Sequence, residues 1–579
     1  MEGAAAGYWF GAHYSGHDRA RFRFWAPTQK RVKLELAKQP RVAMAMRDDG
    51  WFEAEAACRP GTLYRYRLDD GTAVPDPASR AQKDDVHGWS VVVDPKAYRW
   101  RHREWTGRPW HEAVIYELHA GLLGGFAGVQ KLLPRLVELG ITAVELMPIA
   151  EFPGRRNWGY DGVLPFAPDA AYGTPGQLKS LIDAAHGIGL MVFLDVVYNH
   201  FGPDGNYLHR YVPHLFHADR HTGWGDALDF KVPELRRFFT ENAIFWVNEY
   251  RFDGLRFDAV HAIRERDWLE ETAAAVRGAV SPGRHVHLVL ENDHNDVGLL
   301  RQGYDAQWND DGHHALHVLL TGETDRYYAD YHGRPAEHLA RSLLEGFAYQ
   351  GEPSRWRKGV PRGEPSADLP PTAFVLFLQN HDQVGNRAYG ERLTALVPPD
   401  AVEATLALLL LSPQIPMLFM GEEDASATPF LFFTDHRGEL AEGVRKGRRE
   451  ELGLPATAAP PPDPNAGDTF LASIPRPDPR YAAKRFVFIK RLLALRRERI
   501  VPGLDETRAT KAEVVGPAAV TAAWLKADGT TLLIASNLGP APVTLAAPEG
   551  ELLFESKEGG FRDGALAARA TAAWVSQPA

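Results

Sequence analysis

From about residue 110 the chain alternates short, continuously apolar runs with longer stretches in which apolar residues recur every three or four positions. The runs Val114–Leu118, Ala143–Met147, Leu190–Val197, Gly254–Val260, His287–Leu290, Ala306–Trp308, Phe374–Leu378 and Met417–Met420 predict strands buried on both faces. Between them Gly128–Leu139, Gly176–Ile188, Val232–Glu249 and Asp400–Leu411 carry the helical period. Strand and helix alternate throughout, which predicts an α/β fold built on a closed parallel (β/α)8 TIM barrel. The rival is a doubly wound open sheet, but no Gly-rich phosphate loop follows the first strand.

The flanks have a different texture. Before residue 94, segments such as Arg21–Trp25, Val32–Leu36 and Thr62–Leu68 alternate with period two and are separated by turns such as Asp48-Asp49-Gly50. They predict an N-terminal immunoglobulin-like β-sandwich over 1–93, followed by a polar linker, Asp94 to Pro109. After a basic helix, Arg485–Arg499, the strands Val520–Leu525, Thr531–Asn537, Val543–Ala546 and Glu551–Glu555 predict an antiparallel β-domain over 501–579. The barrel with its loop insertions is then 94–500. Pro353–Pro371 and Leu454–Gly467, rich in Pro and Ala, read as long surface loops.

Composition narrows the function. A chain of 579 residues with net charge −10 and no basic run lacks the footprint of a nucleic-acid binder. Cys58 is the only cysteine, which excludes an internal disulfide framework and a thiolate cluster and fits a reducing, cytoplasmic setting. The N-terminus has no secretory pattern, and the most apolar window, Ala404–Met420, is interrupted by Ser412, Pro413, Gln414 and Pro416, so no membrane span is expected.

In such a barrel the site forms at the C-terminal ends of the strands. Those ends carry Asp195 with Asn199 and His200, then Arg256 and Asp258, then Glu291, then His381 and Asp382. Arg256 and Asp258, two residues apart, fall on one face of an extended strand, and a cation there favours the ionised carboxyl. Asp258 therefore suits a nucleophile. Glu291, with no cation beside it in sequence, suits a general acid whose pKa is raised. Paired carboxylates across a mouth fit glycoside hydrolysis, with Asp382, His200 and His381 gripping a sugar. A metal site from Asp195, His200, Asp258 and His381 is the competing reading, but no ligand spacing of the usual kind is present, so no metal and no cofactor is expected.

The blocks Asp195-Val-Val-Tyr-Asn-His200, Gly254-Leu-Arg-Phe-Asp258, Glu291-Asn292 and Phe377-Leu-Gln-Asn-His-Asp382 resemble, in order and spacing, the signature regions of the alpha-amylase superfamily. The resemblance implies a retaining mechanism on α-glucosidic bonds, with Asp258 as nucleophile, Glu291 as acid/base and Asp382 as transition-state stabiliser. It also implies that Arg256, His200, His381 and Tyr160 line the −1 subsite, and that Asp195 and Asn199 support it. Tyr198–Leu208, Gln379–Ala388, Met417–Glu423 and Pro429–Phe433 are similar to segments of the maltooligosyltrehalose trehalohydrolase family. That similarity implies cleavage next to the terminal trehalose of maltooligosyl trehalose, a substrate made by a maltooligosyl trehalose synthase. Glycogen branching or debranching is the alternative within the superfamily, and a carbohydrate-binding scaffold with a dead barrel the alternative outside it. The segment Leu118–Phe126 after the first strand is shorter than the family's. Loop residues beside the signature blocks, Trp224, Asp226, Asp293, His294, Asn386, Arg387 and Glu391, are the candidates for the remaining sugar contacts.

Overall fold

A computed structural model describes residues 8–222, 225–454 and 459–577. Its centre is a closed barrel whose strands, in order, are Ile115–Leu118, Ala143–Leu146, Met191–Val196, Gly254–Phe257, His287–Leu290, Ala306–Trp308, Phe374–Phe377 and Ile415–Phe419. The pairs described are parallel, and every residue of these strands is buried, as continuous apolar runs require. Ile115, Met191, Phe193, Val289, Trp308, Phe377 and Met417 fill the interior. Around it, helix Gly125–Leu139 turns Phe126, Val129, Leu133 and Leu136 inward at helical spacing. Helix Pro175–Gly187 starts on a capping box in which Thr174 and Gln177 satisfy each other's backbone N–H groups.

Two expected boundaries move for a physical reason. The fourth barrel strand ends at Phe257 rather than Val260, because Ala259 adopts a left-handed φ of 41° that turns the chain. Arg256 is thus in the strand and Asp258 just beyond it, while the contact between them survives at 2.9 Å. The last barrel strand starts at Ile415, with Pro416 within it. The basic helix runs Ala482–Leu495 and then widens into a π turn over Arg496–Ile500, where the buried Arg496 donates to the carbonyls of Leu410 and Gln414.

The N-terminal region packs two antiparallel sheets, one of four strands and one of five, over Phe22, Phe24, Leu34, Tyr64 and Tyr66. At the predicted turn Asp49 and Gly50 both have positive φ, and a Cβ at Gly50 would lie 2.4 Å from the Cα of Pro27, so only glycine fits. Phe24 stacks on Tyr66 and also meets Tyr211 of the barrel's third loop, 4.8 Å between centroids. The linker is pinned rather than loose: the buried carboxylate of Asp183 accepts from the Tyr98 hydroxyl, the Arg101 guanidinium and the His102 backbone.

The C-terminal domain is a five-stranded antiparallel sheet with a three-stranded companion. Two of its strands, Arg508–Gly516 and Ala570–Ser576, carry no alternating pattern; the first is largely exposed and the second is alanine-rich and almost wholly buried. The surface loop expected over 353–371 is mostly exposed but anchored: Ser354, Arg362 and Ser366 are buried, and short strands Glu352–Pro353 and Pro361–Arg362 pair with each other. In the Pro- and Ala-rich stretch 454–467, residues 455–458 lie outside the described residues. No helix among the described residues is long and apolar enough to cross a membrane.

Candidate active site

Barrel register sets the site. Asp195 of the third strand pairs in register with Arg256 of the fourth, which pairs with Val289 of the fifth, two residues before Glu291. Arg256 is fully buried and extends along this seam. Its Nη1 donates to Asp195 Oδ2 at 2.7 Å and to Asp258 Oδ1 at 2.9 Å, and its Nη2 to Glu291 Oε2 at 3.0 Å. The guanidinium also rests 4.1 Å from the ring centre of Trp308. One planar, permanently charged fork therefore ties three carboxyls that the chain separates.

The expectation that Glu291 has no cation beside it holds for the sequence and not for the fold. Its Oε2 accepts from Arg256 and from the Ala259 N–H at 2.8 Å, which leaves Oε1 to carry a proton. Burial pushes the Glu291 carboxyl well above its ordinary range; Arg256 opposes that, and the charges of Asp258, Asp382 and Asp310 add to it. Asp258 is held on its other oxygen by Asn199 Nδ2 at 2.8 Å. Exposure of the acid side chains rises from 12% at Asp258 through 17% at Glu291 to 37% at Asp382, so the three reach from the barrel interior to solvent.

Tyr160 closes the opposite side. Its hydroxyl donates to Asp195 Oδ2 at 2.6 Å and meets His381 Nε2 at 2.8 Å, and its ring stacks on the imidazole. His381 Nε2 also lies 3.5 Å from Asp382 Oδ2. Burial alone would lower the His381 pKa, but the carboxylates of Asp382 and Glu117 push it up to about 9. Both ring nitrogens of His200 are engaged, Nδ1 with Asn199 Oδ1 and Nε2 with the Tyr160 carbonyl at 2.8 Å.

The flanking candidates divide. Asn386 donates to Asp382 Oδ1 at 3.2 Å and Asp293 accepts from Arg357, so both adjoin the catalytic blocks. His294 follows Asp293 and packs against His261, 5.5 Å between ring centres. Arg387 grips Glu323 with two bonds, 2.6 and 2.9 Å, and pairs with Glu391 at 3.2 Å. Asp226 lies 3.5 Å from His209, and Trp224 is outside the described residues. Residues not anticipated are Glu117, Trp308, Asp310, Asp311, Arg357 and Arg362. For Glu117 a signal existed: it is the one acid in the apolar strand Ile115–Leu118.

The four residues of the metal reading are otherwise occupied, by Arg256, Asn199, Tyr160 and Glu117. Among the described residues His217, Asp229 and Glu265 do have ligand atoms within 4.8 Å of one another.

Similarity to known proteins agrees with this geometry. The alpha amylase catalytic domain matches residues 79–224, and a domain of unknown function, DUF3459, matches 507–574. Malto-oligosyltrehalose trehalohydrolase from Saccharolobus solfataricus is 42% identical over 78% of this chain and 81% of its own length. The Deinococcus radiodurans enzyme of that name is 42% identical over 79% and 77%. A Salmonella typhimurium crystal structure, described as that of a candidate alpha amylase, superposes with a TM-score of 0.94 at 44% identity, covering 98% of this chain and all of that one. Pullulanase from Anoxybacillus sp. LM18-11, at 18% identity and a TM-score of 0.70, shares the fold. The chain belongs to the malto-oligosyltrehalose trehalohydrolase family, within the alpha-amylase glycoside hydrolases.

Proposed function

We propose that this enzyme hydrolyses the α-1,4-glucosidic bond next to the terminal trehalose of maltooligosyl trehalose, releasing trehalose and a maltooligosaccharide, with retention at the anomeric carbon. Its substrate is the product of a maltooligosyl trehalose synthase, and it acts in the cytoplasm. The observation that carries this reading is the Arg256 fork with its three carboxyls, in a chain alike over most of its length to trehalohydrolases.

Asp258, oriented by Arg256 and Asn199, attacks the anomeric carbon; Glu291, kept protonated by burial, gives its proton to the leaving oxygen. Anchoring both acids on one guanidinium supports the short gap, about 5 Å, of retaining glycosidases over the wider gap that admits an attacking water. Deprotonated Glu291 then activates water to release the glycosyl group. Asp382, the least buried of the three, faces the developing oxocarbenium charge, while Tyr160 and His381 form the wall of the −1 subsite. Asp293, His294 and Asn386 adjoin this centre and supply polar contacts to the neighbouring sugars, and Asp226, beside His209, is a further candidate.

Competition between maltooligosyl trehalose and plain maltooligosaccharides of equal length tests the assignment. Trehalose release with at least tenfold preference for the former is expected; equal or better cleavage of the latter removes the trehalose assignment. The branching alternative has weaker support, since a branching enzyme from Rubrobacter xylanophilus is 34% identical over 38% of its length. New α-1,6 linkages in amylose incubated with the protein are its signature.

A further inference from the structure

Beneath the candidate catalytic acids, two more acids occupy the barrel interior. Glu117 of the first strand and Glu145 of the second are in-register neighbours, each about 1% exposed. Glu117 accepts twice from His381, from the backbone N–H at 3.0 Å and from Nδ1 at 2.5 Å. Neither oxygen of Glu145 has a partner among the described residues.

Hydrogen-bond valence fixes the state of His381. Glu117 takes the bond from Nδ1, so Nδ1 carries a proton. Tyr160 has one hydroxyl proton and gives it to Asp195, the carboxyl bound to Arg256, so towards His381 Nε2 it can only accept. Nε2 therefore carries a proton as well. We propose that Glu117 is a positioning residue that keeps His381 an imidazolium through the neutral range, with its two N–H bonds directed towards Glu117 and Tyr160, and so places a positive charge beside Asp382. This rests on the glycosidase reading of the site, though not on its trehalose specificity.

The surroundings agree. Seven ionisable groups face His381: Glu117, His119, Glu145, Tyr160, Asp195, Arg256 and Asp382. Burial lowers His119 to about 4, and it donates from Nε2 to the Asn157 carbonyl as a neutral ring. Burial holds the unpartnered Glu145 well above the carboxylate range, as a neutral acid. Burial also raises the Tyr160 hydroxyl well above its usual value. Burial raises Asp195 to about 6 against the pull of Arg256, so above that pH it is the anion that Tyr160 serves. The carboxyl groups in contact with the His381 ring are Glu117 at Nδ1 and Asp382 at Nε2.

The test uses a substrate whose departure needs no proton. Fluoride leaves an α-maltotriosyl fluoride without general-acid help, so kcat/KM for it, measured from pH 5 to 9.5, is insensitive to Glu291 as acid and reports the charge on His381. Glu117→Gln keeps an acceptor for Nδ1 but loses the charge. Its alkaline limb is expected to move at least one pH unit towards acid, a loss of about twofold or more at pH 8 that grows to about eightfold or more at pH 9.5 relative to the parent, with little change at pH 6. Glu145→Gln exchanges one neutral group for another and should leave the limb in place. An unmoved limb in Glu117→Gln, or an equal shift in Glu145→Gln, overturns the proposal. Nitrogen-15 NMR of the full-length parent gives a check independent of variant folding, with the His381 signals assigned by their loss in His381→Gln. Two protonated ring nitrogens at pH 7.5 are expected, and a neutral tautomer there contradicts the proposal. Turnover of the fluoride alongside no preference for maltooligosyl trehalose would reject the trehalose assignment while leaving this one standing.

Discussion

Arg256 and Arg362 are both buried arginines that gather acids above the same barrel, yet they stand there for different reasons. Arg256 lies in the fourth strand, and the barrel's register alone brings Asp195, Asp258 and Glu291 to it. Arg362 lies in the long segment after Glu345. It donates to Asp311 at 2.6 Å, to the Tyr331 hydroxyl at 2.8 Å and to the Asp293 carbonyl at 2.8 Å. The first arginine touches the acids proposed to react. The second ties a loop to the residue two places past Glu291, and Arg357 on the same loop grips Asp293 itself. The difference teaches that one set of forces serves chemistry when strands fix the geometry, and loop placement when they do not.

Substitution can break this contrast. The largest effect is expected for Arg256→Met, which leaves three acids without their shared cation. Breaking a buried pair costs about 3–5 kcal/mol of stability, and loss of preorganised electrostatics should lower kcat by about a thousandfold or more. Thermal melts and steady-state kinetics measure both. Arg362→Met should lose about 1–3 kcal/mol, because Asp311 keeps the Tyr331, Asn295 and backbone donors that also satisfy it. Its kcat should stay within about tenfold of the parent, while limited proteolysis finds new cuts between residues 353 and 371. A kcat loss as large as that of Arg256→Met would erase the distinction.

A finer test is Asp310→Asn. Burial raises Asp310 to about 7, and once ionised its charge helps push Glu291 upward. Removing it lowers the pKa of Glu291, and the reaction needs the protonated acid. The alkaline limb of kcat/KM for an oligosaccharide should therefore shift towards acid by less than one unit, with no change below pH 6. The smallest effect is expected for Asp293→Asn, which keeps the carbonyl that Arg362 binds and weakens the Arg357 pair and the longer, 3.5 Å pair with Arg362. Its KM should rise about threefold with kcat nearly constant.

What could be read from the sequence follows the same division. Asp258, Glu291 and Asp382 were legible because strand ends in a barrel converge wherever the intervening loops go. The contact of Arg256 with Glu291 was not, since neighbouring strands carry no trace of their register in local spacing. Glu117 and Glu145 show in the sequence as lone acids inside apolar strands, but nothing local says which partner either one meets. Arg362 could not be found, because a Pro-rich segment with buried Ser354 and Ser366 reads as solvent-exposed until its partners are known. Strand Ala570–Ser576 was hidden by its own burial, since an alanine-rich run enclosed on both faces shows no alternation.

The central claim is that Asp258 forms the bond to the sugar while Glu291 handles the proton. Its most direct test is mass spectrometry of the peptides of the enzyme after reaction with a 5-fluoro-α-glucosyl fluoride, which slows release of a glycosyl intermediate. The account predicts one added glycosyl group on the peptide bearing Asp258, lost in Asp258→Asn. A label on Glu291 or Asp382, or an unlabelled enzyme that releases product of inverted configuration, would contradict it.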